Sequence, residues 1–187
     1  VKARALAAGP TVGIRAPAST DLAELVELVR ASRALHRPWV RPPQDAPGFR
    51  AYLERNTRDT HRGYLVCLRD GGAIAGVVNV SEIVRGAFES AYLGYYAHAA
   101  WAGRGCMREG LGLVIGHAFR RLGLHRLEAN VQPGNAASLA LVRGLGFRKE
   151  GVSPRYLKVG GRWRDHERWA ILAEEWRDKR RVVRRRG

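Results

Sequence analysis

Hydrophobic and polar positions alternate in two rhythms along the 187-residue chain, and the changes between them mark the elements. Val12 to Ile14 is a short extended run. After Ser19-Thr20-Asp21, Leu22, Leu25, Val26 and Val29 return at helical spacing, with Asp21 and Glu24 in the positions of a capping box. Pro38, Pro42, Pro43 and Pro47 withhold the backbone donors a longer helix needs, so the helix should fade by His36 into a proline-rich loop that carries Trp39. A second short helix is expected over 48–56.

Tyr64 to Leu68 and Ile74 to Val80 are rich in strand formers, and Asp70-Gly71-Gly72 between them supplies a tight hairpin turn. Tyr92 to Ala97 reads as the next strand. Leu111, Val114, Ile115, Ala118, Phe119 and Leu122 then fall on one helical face, the clearest helix in the sequence, closed by Gly123. Arg126 to Val131 resumes a strand. Asn135 caps a helix that closes near Gly146, and Tyr156 to Val159 with Trp163 to Leu172 form a last hairpin about Gly160-Gly161. The order predicts an α/β fold: one mixed, mostly antiparallel sheet of about seven strands flanked by helices. No repeat or linker divides it, so one domain over 11–176 is expected, followed by a basic tail over 177–187.

Composition adds three constraints. No run approaches the roughly 18 apolar residues of a membrane span, and nothing at the start has the order of an export signal, so a cytoplasmic protein without a membrane anchor is expected. Cys67 and Cys106 are too few for a disulfide framework and form no Cys-x-x-Cys pair, so no metal is expected. The formal charge of +16 favours an acidic partner such as RNA, although only four of the 33 basic residues are lysines, as a coding bias toward arginine would also give. Much of that charge is local. Arg177, Lys179, Arg180, Arg181, Arg184, Arg185 and Arg186 crowd the last eleven residues against Asp178 alone.

Chemistry concentrates first at Gly103-Arg104-Gly105. A strand leading through these glycines into a helix gathers unpaired N–H groups and the positive helix end at one point, which suits phosphate, with Arg104 and Arg108 able to add charge. A dinucleotide fingerprint would want glycine at 108 and an acid near 125, where Arg108 and His125 stand, and no Gly-Lys-Ser/Thr phosphate loop occurs. Other phosphate-bearing cofactors remain.

The glycine loop, the helix after it, the string Leu124-His125-Arg126-Leu127-Glu128-Ala129-Asn130, and Pro133, Asn135, Ser138, Gly146-Phe147 and Glu150-Gly151 resemble the GNAT N-acetyltransferase superfamily. Within it they are similar to the ribosomal-protein-alanine N-acetyltransferase (RimJ-type) branch. The resemblance extends through Ile83-Val84-Arg85-Gly86, Tyr92-Leu93-Gly94-Tyr95, Tyr156-Leu157, Gly161, Trp163 and Asp165-His166, from Thr11 to Trp176.

It implies an enzyme that transfers acetyl directly from acetyl-CoA to an amine, with the CoA in a wedge between splayed parallel strands, here Tyr92 to Ala97 and Arg126 to Val131. Backbone groups of Tyr95, Tyr96 and Ala97 would hold the pantetheine arm and thioester carbonyl, and Gly103, Arg104, Gly105, Cys106 and Met107, with Arg108 beside them, the pyrophosphate. The sequence departs from the family pattern at Ala102 and Met107. It departs again at Val142, where many relatives carry a catalytic Tyr seven residues after the capping Asn. The resemblance then assigns the acid to Ser138 and a cofactor contact to Asn135, while the base stays open among Glu82, Glu89, Glu128, Asp165, His98 and His166. Trp39 would wall the acceptor groove, with Tyr156 and Trp163 opposite. The acceptor is expected to be the N-terminus of a protein such as a ribosomal one, with a small amine (antibiotic or polyamine) or a non-catalytic RNA-binding role as alternatives. The chain would act as a monomer or homodimer, with its basic surface and tail free to contact ribosomal RNA.

Overall fold

A computed structural model describes residues 4–176; the basic tail expected over 177–187 lies outside the described residues. The strands are β1 (Ala7–Ala8), β2 (Val12–Arg15), β3 (Arg62–Leu68), β4 (Ile74–Val84), β5 (Ser90–Ala97), β6 (Arg126–Val131), β7 (Arg148–Val159) and β8 (Arg162–Leu172). The helices are α1 (Leu22–Ala31), α2 (Arg33–His36), α3 (Ala46–Arg55), α4 (Cys106–Arg121) and α5 (Ala136–Leu145). The strands form one sheet in the order β1-β2-β3-β4-β5-β6-β8-β7. The β5–β6 pair is parallel and the other pairs are antiparallel. The eighth strand is β1, a two-residue pairing of Ala7 with Ile14 and Ala8 with Gly13, too short for any periodicity to announce it.

The central strands are buried on both faces and therefore read as nearly continuous apolar runs. Tyr64 and Val66 of β3 pack with α4 and α5, while Leu65 and Cys67 pack with α1 and α3 on the other side. Close approach of α4 to the sheet depends on Gly110, where a Cβ would sit 2.5 Å from the Val66 side chain. Glu109 fastens the same helix to the start of β2, its carboxylate accepting from Thr11 and Val12 N–H at 2.9 and 3.1 Å.

Several local expectations change. Asp21 does not cap α1 with its side chain: its buried carboxylate takes both Arg15 guanidinium nitrogens, at 2.7 and 2.8 Å, and the Ala18 N–H. Glu24 likewise reaches across to the Ile74 N–H at 2.8 Å. Glu24 thus serves the sheet, while Asp21 ties Arg15 of β2 to the Ala18 turn that leads into α1. The helix breaks at Ser32, whose hydroxyl accepts from Ala99 N–H, so α1 and α2 are separate. The second short helix begins at Ala46, two residues early, because Asp45 caps it through Gly48 N–H. Strand β7 starts at Arg148, eight residues before the expected Tyr156; no residue along it is buried, so no apolar alternation marks it. Among the described residues no helix is long and apolar enough to cross a membrane.

Candidate active site

The two parallel strands run together only briefly. Their register pairs Ser90 with Arg126, Ala91 with Leu127 and Tyr92 with Glu128, and then stops. Each strand keeps its outer partner beyond that point, β5 with β4 as far as Ala97 and β6 with β8 as far as Val131. The strands therefore part, and their facing backbone groups lose a strand partner within the sheet, a loss that such groups must offset elsewhere. A cavity of about 520 Å³ opens in the split between Leu93–97 and 129–132, within the range of small-molecule sites.

One end of the cavity is made of backbone. Gly103 (φ 75°) and Gly105 (φ 81°) occupy left-handed conformations, and a Cβ at either would meet no atom within 4 Å. Glycine is needed here for the turn and leaves the peptide groups open to approach. Gly105 precedes α4, and the first ladder bond runs from Glu109 N–H to Gly105 O at 3.1 Å. The N–H groups of Cys106, Met107 and Arg108 accordingly project from the positive helix end. Gly103, Gly105, Met107 and Arg108 line the cavity. Arg104 and Cys106 do not: the Arg104 guanidinium lies 5.2 Å over the Trp101 ring, and the Cys106 side chain is buried in the core. Arg108 donates to the Gly144 carbonyl at 3.3 Å. Met107 fills the space over Gly76, where a Cβ would lie 2.3 Å from its sulfur.

The other end is made of side chains. Asn135 caps α5, its Oδ1 accepting from Ser138 N–H at 3.1 Å. The Ser138 hydroxyl in turn meets the Tyr95 hydroxyl at 2.6 Å, and burial pushes the Tyr95 phenol up to about 12. Val142, the position at which a catalytic Tyr was considered, is fully buried core. Thus β5, not α5, brings a phenol to the cavity. Trp39 lines it from the proline-rich loop, packed on Gly134, its carbonyl accepting from Gln132 at 3.3 Å. Of the other aromatic residues expected at the acceptor side, Tyr156 stands behind the wall, hydrogen-bonded to Tyr92 and edge-on to His166, and Trp163 is 60% exposed on the hairpin.

Two histidines line the cavity. His36 donates from Nε2 to the Ala97 carbonyl at 2.8 Å and lies edge-on to Tyr96. His166 uses Nδ1 on the Arg164 carbonyl at 2.9 Å. Burial lowers the pKa of both rings. His166 was among the base candidates named from the sequence; His36 was not, yet Leu25, Val29, Ser32 and His36 share one helical face, a pattern that could have placed His36 inward. The carboxylates considered as bases lie elsewhere: Glu89 faces Arg85, Glu128 faces Arg126, Asp165 accepts from Arg155 N–H, and Glu82 is exposed beside His61. Among the described residues no aspartate or glutamate lines the cavity.

The wall also holds buried polar atoms without a protein partner: His36 Nδ1, the Tyr96 hydroxyl and Asn130 Oδ1. Such atoms cost about 1–3 kcal/mol each when left unsatisfied; all three are sealed within the wall and so are not contacts offered to a ligand. Amide-bearing pantetheine with a terminal pyrophosphate fits a split that offers backbone groups along its length and N–H groups at its end.

Comparison with known proteins agrees with this geometry. The family model described as "Acetyltransferase (GNAT) domain" matches residues 11–148. The [ribosomal protein uS5]-alanine N-acetyltransferase of Escherichia coli (strain K12) is 42% identical over 107 residues, covering 57% of this chain and 55% of that enzyme. The probable N-acetyltransferase YjcK of Bacillus subtilis (strain 168) is 37% identical over 121 residues, covering 65% of this chain and 67% of its own length. The chain thus spans about half to two thirds of these relatives. A solved structure described as Mycobacterium smegmatis RimJ in complex with CoA-disulfide superposes with a TM-score of 0.81 at 30% identity, over 89% of this chain and 87% of that one. The chain belongs to the GNAT acetyltransferase family.

Proposed function

We propose that, as a member of the GNAT acetyltransferase family, this protein transfers acetyl from acetyl-CoA to the α-amine of a protein N-terminus. The observation that carries the reading is the split between β5 and β6, which ends on the amino end of α4 at one side and on the Tyr95–Ser138 pair at the other. Acetyl-CoA supplies the activated thioester; the chain's residues hold and polarise it.

In this reading the N–H groups of Cys106, Met107 and Arg108 bind the pyrophosphate, with Arg108 adding charge. The cavity-side edge of Tyr95, Tyr96 and Ala97, whose Ala97 carbonyl is held by His36, orients the pantetheine arm, and its N–H groups polarise the thioester carbonyl, where negative charge develops during attack. Asn135 holds the start of α5, and so Ser138, against the cofactor. The leaving sulfur needs a hydrogen-bond donor, and two hydroxyls 2.6 Å apart stand ready. With the Tyr95 phenol near 12 and a thiol ordinarily near 8.5, complete proton transfer to sulfur is uphill by about 5 kcal/mol. The pair therefore acts by hydrogen bonding to the departing thiolate, with Ser138 as the donor and Tyr95 fixing its rotamer.

Trp39 forms one wall of the acceptor groove, with Tyr156 supporting the other. The absence of a carboxylate among the described residues that line the cavity favours an acceptor that is not a polycation, and the +16 charge would draw the protein toward the ribosome. Incubation with acetyl-CoA and a panel of N-terminal peptides and small amines, read by mass spectrometry, tests this. Acetylation of peptide α-amines is expected; acetylation confined to small amines would reject the protein-acceptor reading.

A further inference from the structure

We propose that His166 is the general base that accepts the proton from the incoming amine. The inference rests on the acetyltransferase reading above. It follows from which groups reach the cavity. Among the described residues no carboxylate does, so the groups there able to take a proton near neutrality are the two lining histidines.

Their hydrogen bonds separate them. His36 donates from Nε2 to Ala97 O, which leaves Nδ1 as its acceptor, and Nδ1 is sealed in the protein without a partner. A substrate has no route to it. His166 has the opposite arrangement: Nδ1–H is held by the Arg164 carbonyl at 2.9 Å, so Nε2 carries the lone pair. Nε2 has no protein hydrogen bond among the described residues and is not among the sealed, unpartnered atoms. The residue stands on β8 one position beyond Glu167, which pairs with Val131, and therefore opposite the end of β6, where Val131 and Gln132 line the cavity.

Burial, and not the surrounding charges, keeps the ring neutral. Tyr156 of β7 packs edge-on at 6.3 Å and is tied to Tyr92 of β5. On β8 itself, Asp165 raises the ring's affinity for a proton but is engaged by Arg155 N–H, Glu167 is paired with Lys149, and Arg164 and Arg168 are cationic. The cavity contributes His36, Tyr95, Tyr96 and Arg108. Desolvation prevails and lowers the pKa of His166.

The proton balance closes. The ammonium gives one proton to Nε2; the neutral amine attacks the thioester carbon, and the C–N bond forms as the carbonyl π bond opens to a tetrahedral oxyanion. Collapse of that adduct re-forms the carbonyl and breaks the C–S bond, the second amine proton passes to the departing sulfur, which leaves as the thiol, and the imidazolium releases its proton to solvent. A base below the ordinary histidine value of about 6.5 suits an α-ammonium of about 7.7–8.0 far better than a lysine or polyamine near 10.4, so the same residue favours an N-terminal acceptor.

The test is His166→Asn, whose amide can still donate to the Arg164 carbonyl but cannot accept the proton. With acetyl-CoA and an alanine-initiated peptide, kcat is expected to fall about 100-fold, the size typical of general-base loss, while KM for acetyl-CoA holds. The low-pH limb of the wild-type kcat profile should vanish, and imidazole should restore part of the rate. Full kcat with an unchanged limb would overturn the proposal. Titration of the His166 ring by NMR in the CoA complex needs no acceptor: the Nδ1–H tautomer, with Nε2 unprotonated above the ring's pKa, is expected, and a ring that carries its proton on Nε2 would overturn it. Wild-type protein that acetylated no amine would count against the transferase reading, leaving the ring titration to judge His166 separately.

Discussion

The two ends of the cavity are built from different materials. At the amino end of α4 the ligand meets main chain, presented by Gly103 and Gly105 in left-handed conformations. At the far end it meets the side chains of Trp39, Tyr95, Ser138 and His166, drawn from four separate stretches of sequence. A backbone site is specified by local conformation, so its residues are contiguous and its signal survives in the sequence. A side-chain site is specified by tertiary placement, and its residues are scattered. The first end should therefore respond to changes in backbone shape and charge, and the second to the loss of single functional groups.

The largest expected effect breaks the backbone end. Gly105→Asp places a negative charge where phosphate is held and a Cβ at φ 81°, and should weaken acetyl-CoA binding more than about 100-fold by calorimetry. Tyr95→Phe comes next, at the other end: it removes the partner of Ser138 Oγ, and kcat should fall about 10-fold or more while acetyl-CoA affinity changes little. Ser138→Ala and Tyr95→Phe together should cost less than the sum of the single losses, because the hydroxyls act as one pair. Trp39→Ala should raise KM for a peptide acceptor by roughly 10-fold, a loss of about 1.4 kcal/mol, and leave cofactor binding intact.

The smallest effect concerns stability. His36, His117 and His166 all have pKa values lowered chiefly by burial. Between those lowered values and the unfolded value near 6.5 the unfolded chain binds more protons, so stability rises with pH in that window and is fully present above it. Melting temperature should accordingly decline as pH falls from 7 to 5, and His166→Asn should flatten part of that decline. A melting temperature independent of pH across this range would contradict the buried, neutral assignment of these rings.

The same contrast explains what was legible in the sequence. Strand β6 has the bounds its apolar alternation predicts, and α5 runs between Asn135 and Gly146 because both caps are local chemistry. The glycine loop was found for the same reason. Strand β7 was foreshortened because none of its residues is buried, and Asp21 was misread because its carboxylate holds Arg15 and the Ala18 turn together instead of capping α1. Tyr95 was expected to contribute backbone only; that its hydroxyl meets Ser138, 43 residues away, is a fact of packing between β5 and α5. His166 gave no periodic signal at all on a strand whose first half is exposed.

The central claim is that the split between β5 and β6, ending on the amino end of α4, binds acetyl-CoA. Calorimetric titration of the wild-type protein with acetyl-CoA tests it most directly. A dissociation constant on the order of 1 μM, about −8 kcal/mol, is predicted; no saturable binding at millimolar acetyl-CoA would contradict it.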